Sequence, residues 1–297
     1  MRKVNMIICI ILALCFLSVL SAAEEEKNPY DLPLDIGYIP PKAQGEFTAA
    51  SYHDDSLDVK IEEIAYGRSV FYLAHITVAS PTQLRTAEDG EPNVSSKEKP
   101  SLVGRKKNAV LIINGEYYTQ RTSDSFIVRQ GRLYKNKPDP EKDVLIIDAA
   151  GDFHVFCGED KTAQINGYLT GGGTIVNAFS FGPAFSDHGE AVPLREGYSF
   201  YPEQSTQRTL ICQEETREDG RRVYCFVYAI DATHKNLYDF VTHVNESGEY
   251  GFKLLTAYNL DGGNSSILLF NGRKFGLHEN PEREVKDIIY VVSAVSE

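Results

Sequence analysis

The sequence predicts an α+β fold built largely from antiparallel sheet. Short apolar or alternating segments recur along the chain, and turn residues often separate neighbouring segments. Few segments have helical periodicity, and they do not alternate regularly with the strands. This order favours hairpin-connected sheet over a doubly wound α/β fold.

The strand predictions rest on alternation, or on short apolar runs bounded by turn signals. In chain order the predicted strands are Val59–Glu62, Val70–Val78, Ala109–Ile113, Ser125–Tyr134 with a turn at Gln130-Gly131, Asp143–Asp148, Phe153–Phe156, Thr174–Phe181, Gln207–Gln213, Arg222–Ile230, Leu254–Tyr258, Ile267–Phe270 and Ile288–Val292. After the Ile267–Phe270 strand, Asn271-Gly272 is a strong signal for a two-residue hairpin turn.

The clearest predicted helix is Asn236–Val244, because its apolar residues recur at spacings of three and four. Lys161–Leu169 is predicted as a short helix that Gly171–Gly173 ends. Pro81–Thr86 is predicted as a turn leading to a short helix, and the polar stretch Glu88–Pro100 as an exposed loop.

The N-terminus has the pattern of a secretory signal peptide. Two basic residues precede the apolar run Met6–Leu20, and small residues end at Ala23. An uncleaved membrane anchor is the alternative, because the run is near the short end for a membrane span. Residues 24–55 are acidic and then rich in proline, which predicts a linker. We therefore expect a signal peptide at 1–23, a linker at 24–55, a single domain at 56–297 and an extracytoplasmic protein.

Charge and cysteine content exclude several classes of function. The formal net charge of −12 argues against binding nucleic acid, or an anionic membrane by charge alone. Cys157, Cys212 and Cys225 follow the leader, and the last two flank a turn-like segment. They either form a disulfide or are small buried apolar residues, and we favour the second. Because cysteines and histidines lack zinc-ligand spacing, no cofactor is predicted, although Asp and Asn oxygens leave a divalent metal possible.

A polar loop separates the strands predicted at Leu254–Tyr258 and Ile267–Phe270. It carries a carboxylate, two amides, two hydroxyls and two glycines, at Asn259, Asp261, Gly262, Gly263, Asn264, Ser265 and Ser266. Glycines allow sharp turns and close approach of a ligand to the backbone, and loops held by rigid strands often carry binding sites. The alternative is an Asx turn with a Gly-Gly hinge, which needs no function.

This loop and five other segments resemble the phosphodiester glycosidase family, whose bacterial members include secreted proteins associated with exopolysaccharide. The loop is similar to the family's Asn-Leu-Asp-Gly-Gly-Gly-Ser-Ser signature. The other segments follow in the family's order between about Val70 and Val292, and they are Asn114–Tyr118, Ser180–Pro183, Arg208-Thr209, Asp231 and Val285–Tyr290. Two departures are Asn264 in place of a third glycine and Ala232 in place of the glycine after the acid.

The resemblance implies hydrolysis of a sugar 1-phosphodiester at the anomeric carbon. Glycoside cleavage commonly uses two carboxyl groups. We expect Asp261 as nucleophile or base, Glu116 as acid or sugar contact, and Asp231 in reserve. The predicted phosphate ligand is Arg208, whose planar fork can bind two oxygens. The remaining predicted substrate contacts are Asn114, Gly115, Gly182, Asn259, Gly262, Gly263, Asn264, Ser265 and Ser266. Among them, Gly262, Gly263 and Asn264 are expected to bind the anion through a nest of backbone N–H groups.

Each of these assignments has a structural alternative. Asp261 caps a turn, Glu116 is exposed in an Asn-Gly hairpin, or Arg208 forms a surface ion pair. Tyr117 or Tyr118 stacks on a sugar or belongs to the core. At the level of the whole protein, the alternative to an enzyme is a non-catalytic carbohydrate-binding or polysaccharide accessory protein on the same fold.

Overall fold

The computed structural model describes residues 28–88, 97–116, 124–195, 198, 201–277 and 281–295. The predicted signal peptide and Tyr117 and Tyr118 lie outside the described residues. The described part contains nineteen strands, three α-helices and two short 3-10 helices. The α+β prediction is confirmed.

The described strands form three sheets, and all their pairings are antiparallel. The largest has nine strands in the order β1 (Glu46–Phe47), β2 (Ser51–His53), β3 (Leu57–Tyr66), β4 (Ser69–Val78), β15 (Arg222–Ala232), β14 (Thr206–Gln213), β16 (Thr256–Asn259), β12 (Ala184–Asp187) and β13 (Glu190–Ala191). The second has five strands in the order β10 (Phe153–Phe156), β9 (Asp143–Ile147), β11 (Asn177–Phe181), β7 (Ser125–Arg129) and β8 (Arg132–Lys137). The third has five strands in the order β18 (Arg273–Lys274), β17 (Leu268–Phe270), β6 (Leu111–Asn114), β19 (Asp287–Val291) and β5 (Leu84–Glu88).

All three sheets turn one face toward a shared core. Alternation along the strands decides which residues enter it, because successive side chains point to opposite faces. On β6, Leu111 and Ile113 lie in the shared core and Ile112 lies on the outer face. On β9, Leu145 and Ile147 enter the same core. Complete burial of such an aliphatic side chain contributes roughly 1.5–3 kcal/mol.

The outer face of each sheet is covered by one helix. Helix α1 (Pro100–Lys106) packs on the third sheet through Val103, and α2 (Lys161–Thr170) packs on the second sheet through Ile165. Helix α3 (His234–Ser247) covers the nine-stranded sheet. The described residues contain no helix long and apolar enough to cross a bilayer.

Helix α3 carries the apolar face that its sequence predicts. Leu237, Phe240, Val241 and Val244 are all buried against the nine-stranded sheet. The helix begins at His234, two residues earlier than predicted, because Thr233 and Asn236 cap its first turn reciprocally. It ends at Ser247, and the capping residue Gly248 has a left-handed φ of 66°.

The linker prediction is wrong for residues 28–55, which pack on the domain. Leu32 is buried with Val103 of α1, and β1 and β2 extend the nine-stranded sheet. The Arg85 guanidinium also donates to the Pro33 carbonyl oxygen at 2.8 Å. Few apolar residues are needed here, because backbone and side-chain hydrogen bonds hold the segment in place.

Two other segments differ from the sequence predictions. Pro81–Gln83 forms a 3-10 helix that leads into β5, not into a longer helix. The predicted loop ending at Pro100 instead leads into α1, which starts with that proline at its first helical position. Cys212 and Cys225 lie opposite each other on β14 and β15, and both are buried free thiols.

Candidate functional site

The polar loop after β16 passes from the nine-stranded sheet to the third sheet, so its two flanking strands are not partners. Asn114, at the end of β6, holds both ends of this loop. Its Nδ2 donates to the Asp261 carbonyl oxygen at 2.8 Å, and its Oδ1 accepts from the Ile267 backbone N–H at 3.1 Å. Since Thr209 Oγ1 also donates to Oδ1 at 2.8 Å, the Asn114 amide is occupied in shaping the loop.

Both glycines of the loop occupy positions that a larger residue does not fit without strain. A Cβ atom on Gly262 would lie 3.2 Å from the Gln207 carbonyl oxygen and 3.4 Å from Cδ of Arg208. Gly263 has a φ of 61°, in the left-handed region that favours glycine. The loop therefore packs tightly against the start of β14.

Asp261 lies in this loop with a partly exposed side chain. Its Oδ1 accepts from the Gly262 backbone N–H at 3.0 Å. Burial raises the pKa of the carboxyl, while the Ser265 hydroxyl, the Gly262 N–H and the nearby cations Arg283 and Lys97 lower it. Asp261 thus combines a turn-capping contact with a position among cations.

Glu116 is buried, which excludes the exposed-hairpin alternative. Its Oε2 accepts from the Ser180 backbone N–H, and its Oε1 lies 3.7 Å from Nη2 of Arg129. Burial raises the pKa of Glu116 to about 7, although the positive charge of Arg129 opposes the rise. A carboxyl with this pKa is partly protonated near neutrality, as a general acid must be.

Glu116 and Asp261 line one narrow cleft of about 10 Å³, together with Asn114, Ser265 and Arg283. That volume accommodates about one water molecule. Gly115 also lines it and leaves no room for a larger residue, because a Cβ atom there would lie 2.3 Å from Asp287 Oδ1. The structure therefore brings the two predicted carboxyl groups to one cleft.

A larger cavity of about 270 Å³ shares Ser265 and Arg283 with this cleft. Asn264, Ser266 and Lys274 contribute to its wall. The Ser266 hydroxyl is buried, and no hydrogen-bond partner for it lies among the described residues. The polar side chains that line this larger cavity, together with the volume of the cavity, suit a small polar ligand such as a sugar.

Arg208 is buried beside the loop. This burial lowers the pKa of its guanidinium to about 10, although the negative charge of Asp261 opposes the fall. Its donors, however, are used within the protein. Nε donates to Ala232 O at 3.2 Å, and Nη2 donates to Tyr201 O at 2.8 Å and Gln204 O at 2.9 Å. Nη1 lies 3.3 Å from Nε2 of His234, whose pKa burial and Arg208 together lower to about 3. Arg208 thus holds the surrounding segments together through its hydrogen bonds, and its donors are not available as the expected phosphate-binding fork. Because the side chain is buried, the alternative of a surface ion pair is excluded as well.

Four other predicted residues line neither cavity, and one of them is Gly262, which packs on the start of β14. Asn259 Nδ2 donates to Gly182 O at 2.8 Å, and Gly182 N donates to Asn259 O at 3.1 Å. These two residues support the loop from behind. Asp231 is exposed in a left-handed conformation, with a φ of 54°. It lines neither cavity, so the structure gives no support to Asp231 as a catalytic acid.

Sequence reasoning missed the buried ion pair that borders Glu116. Arg129 on β7 donates through Nε and Nη2 to Asp287 Oδ2, at 2.9 and 2.7 Å, and both residues are buried. The guanidinium carbon lies 4.2 Å from the centre of the Phe179 ring. Burial raises the pKa of Asp287 to about 6. Asp287 falls within a motif of the resemblance, but no local signal in the sequence pairs it with Arg129.

Arg283 is another site residue that sequence reasoning missed, and it lines both cavities. Its Nη1 donates to the Ser265 hydroxyl oxygen at 3.4 Å. The cations that line the two cavities are Arg283, Lys97, Lys274 and Lys286, and the carboxylates of Glu282 and Glu284 line the same cavities. Their separation from the loop in sequence hides this arrangement.

Comparisons with known proteins agree with this architecture. The family model for phosphodiester glycosidase matches residues 107–292. The zebrafish N-acetylglucosamine-1-phosphodiester alpha-N-acetylglucosaminidase catalytic domain, auto-inhibited by its pro-peptide, superposes with a TM-score of 0.57 and 16% identity, over 90% of this chain and 98% of that one. A hypothetical protein from Synechocystis superposes with a TM-score of 0.54 and 13% identity, over 80% of this chain and 62% of that one.

The two superpositions show a shared fold, and this chain spans less than two thirds of the Synechocystis protein. No curated protein matches the sequence. The family model covers more than half of the chain, including Glu116, the polar loop and Asp287. The chain belongs to the phosphodiester glycosidase family.

Proposed function

We propose that this protein is a glycosidase that hydrolyses the sugar–phosphate linkage of a sugar 1-phosphodiester. The observation that carries the proposal is the placement of Glu116 and Asp261 on one cleft beside a cavity with cationic side chains. Glycoside cleavage commonly uses a pair of carboxyl groups as acid and base. Cationic side chains bind phosphate through charge-assisted hydrogen bonds. Family membership supports the same reaction class.

In the proposed reaction, the bond between the anomeric carbon and the phosphate oxygen breaks, and its electron pair goes to that oxygen. Glu116 donates a proton to the leaving phosphate oxygen, for which its raised pKa suits it. Asp261 accepts a proton from the attacking water, whose oxygen bonds to the anomeric carbon. The products are a free sugar and a phosphomonoester.

The proposal is tested by incubating the protein with N-acetylglucosamine 1-(methyl phosphate) and separating the products. Release of free N-acetylglucosamine and methyl phosphate supports it, and the name of the structurally similar zebrafish enzyme motivates this choice of sugar. Binding without turnover, unaffected by changes at Asp261, would favour the non-catalytic carbohydrate-binding alternative. An extracytoplasmic location, with residues 1–23 removed, belongs to the same proposal, and N-terminal sequencing of exported protein tests it.

Arg283 is the proposed phosphate ligand. Replacing Arg283 with Gln removes a charge-assisted hydrogen bond worth roughly 1.5–3 kcal/mol, so KM should rise about 10- to 100-fold. Steady-state kinetics check this prediction. The matched control is Arg221→Gln, whose side chain is 35% exposed and lines neither cavity. An equal rise of KM in both variants would remove Arg283 from the site.

Activity should depend on the protonation of Glu116. Because the acid must carry its proton, kcat should fall as pH rises through about 7. Glu116→Gln should lower kcat by roughly 10²- to 10⁴-fold and abolish this alkaline limb. A pH–rate profile of both proteins measures the effect. A limb that persists in the variant would assign it to another group.

Thermal unfolding provides the folding control for Glu116→Gln. The pKa of Glu116 is higher in the folded protein than in the unfolded chain, so the folded state binds the proton more tightly. The associated stability is present at low pH and is lost as pH rises through about 7, by about 3 kcal/mol at most. Glu116→Gln should therefore be folded, and less sensitive to pH between 4.5 and 7 than the parent protein.

A further inference from the structure

A second cluster of reactive side chains lies on the opposite face of the nine-stranded sheet from the shared core. Cys225 on β15 faces His75 on β4 and Cys212 on β14, so the three residues form one row across three strands. Both cysteines pack with helix α3. Glu214, directly after β14, reaches across the row, and its Oε1 lies 2.6 Å from His75 Nδ1. Residues of this cluster line neither cavity of the candidate site.

We propose that His75, Glu214 and Cys225 form a binding site for a zinc-like divalent transition metal. One ligand atom from each residue lies within 4.8 Å of the other two. Imidazole nitrogen, thiolate sulfur and carboxylate oxygen are the donors that Zn²⁺ takes in proteins, at about 2.0–2.3 Å. Ligand atoms around tetrahedral Zn²⁺ are then roughly 3.3–3.7 Å apart, so His75 and Glu214 need to separate only slightly.

The second nitrogen of His75 supports this assignment independently. His75 Nε2 lies 3.3 Å from Glu62 Oε1 on the neighbouring strand β3. A metal-binding histidine almost always donates its other ring N–H to a carboxylate, a carbonyl or water, and this contact fixes the ring orientation. Here Nδ1 contacts Glu214 while Nε2 contacts Glu62. The His75 ring also packs edge-on against Phe252, at 4.6 Å between ring centres.

Access and charge are both compatible with metal binding. The His75 side chain is 18% exposed and that of Glu214 is 9% exposed, so the cluster lies just below the surface. On binding, the metal replaces the proton between His75 and Glu214, and the Cys225 thiol releases its proton. The dication then balances one carboxylate and one thiolate. A water molecule completes four-coordination.

The sequence contained no signal for this site. His75, Glu214 and Cys225 are too widely separated to match any zinc-binding spacing, and only the antiparallel pairing of β4, β15 and β14 aligns them. The predicted absence of a zinc motif and the proposed site are therefore compatible.

The test titrates the reduced, full chain with Co²⁺ alone, followed by Zn²⁺. We expect one equivalent of Co²⁺ per chain, with a near-ultraviolet sulfur-to-cobalt charge-transfer band that Zn²⁺ abolishes by displacement. Cys225→Ser should lose the band, while the matched control Cys157→Ser should keep it, because Cys157 lies outside the cluster. Binding far below one equivalent, or a band retained in Cys225→Ser, would overturn the site.

Glu62→Gln gives a test that does not depend on replacing a buried residue, since the Glu62 side chain is 33% exposed. It should weaken Zn²⁺ affinity by roughly 10- to 100-fold in competition with a chromophoric chelator. Unchanged affinity contradicts the proposed role of His75. A disulfide between Cys212 and Cys225 in protein purified without reductant, persisting with excess Zn²⁺ present, would also overturn the proposal.

Discussion

Asp261→Asn should lower kcat on a sugar 1-phosphodiester by roughly 10³-fold while leaving substrate binding nearly unchanged. The amide keeps the size of the side chain, and its Oδ1 can still accept from the Gly262 N–H. It cannot accept a proton from water, so the chemical step is lost. Single-turnover kinetics together with equilibrium binding separate these two effects.

Asp231→Asn is the matched control for Asp261→Asn. Asp231 was the reserve acid on sequence grounds, but it is exposed and lines neither cavity. Asparagine tolerates its left-handed conformation. The control should keep kcat within about twofold, since a distant surface substitution is close to neutral. A large loss in Asp231→Asn with a small loss in Asp261→Asn would reverse the assignment.

Asp287→Ala should destabilise the fold by roughly 3–5 kcal/mol, because it removes the carboxylate that accepts two hydrogen bonds from the buried Arg129 guanidinium and leaves only Glu116, at 3.7 Å, as a counter-charge. Urea unfolding measures this change. Removing both charges in Asp287→Ala/Arg129→Met should recover part of the loss and not all of it, since no buried cation without a hydrogen-bonded carboxylate remains but Glu116 loses its neighbouring positive charge. Recovery would identify the unpaired charge as the cause.

The matched control for Asp287→Ala is Asp152→Ala. Asp152 pairs with Arg222 at 3.0 Å, but its side chain is 38% exposed. The loss there should be below about 1 kcal/mol, because solvent screens such pairs. Equal losses at Asp287 and Asp152 would contradict the account of the buried pair.

The fold was predictable where local patterns decide the structure. The apolar face of α3 and the Asn271-Gly272 hairpin both follow from spacing and turn chemistry. Helix α1 and the strands β1 and β2 were not predictable, because they are short and depend on contacts distant in sequence. Leu32 is an example, since its burial depends on α1 and the third sheet.

The candidate site was predictable as a set of segments and not as a set of roles. The convergence of Glu116 with the Asp261 loop follows the motif order, and the structure brings them to one cleft. Arg208 has the residue type of a phosphate ligand, yet three carbonyl oxygens and His234 occupy its donors. Arg283 faces the cavity instead. Hydrogen-bond partners distinguish these arginines, and a single sequence does not contain that information.

The most direct test of the account is the fate of water oxygen during turnover. Hydrolysis of N-acetylglucosamine 1-(methyl phosphate) in ¹⁸O-labelled water should give methyl phosphate without the label, because the carbon–oxygen bond at the anomeric carbon breaks. Mass spectrometry of the phosphomonoester reads this out. Labelled methyl phosphate would show cleavage at phosphorus and contradict a glycosidase, and no turnover at any pH would contradict an enzyme of this kind.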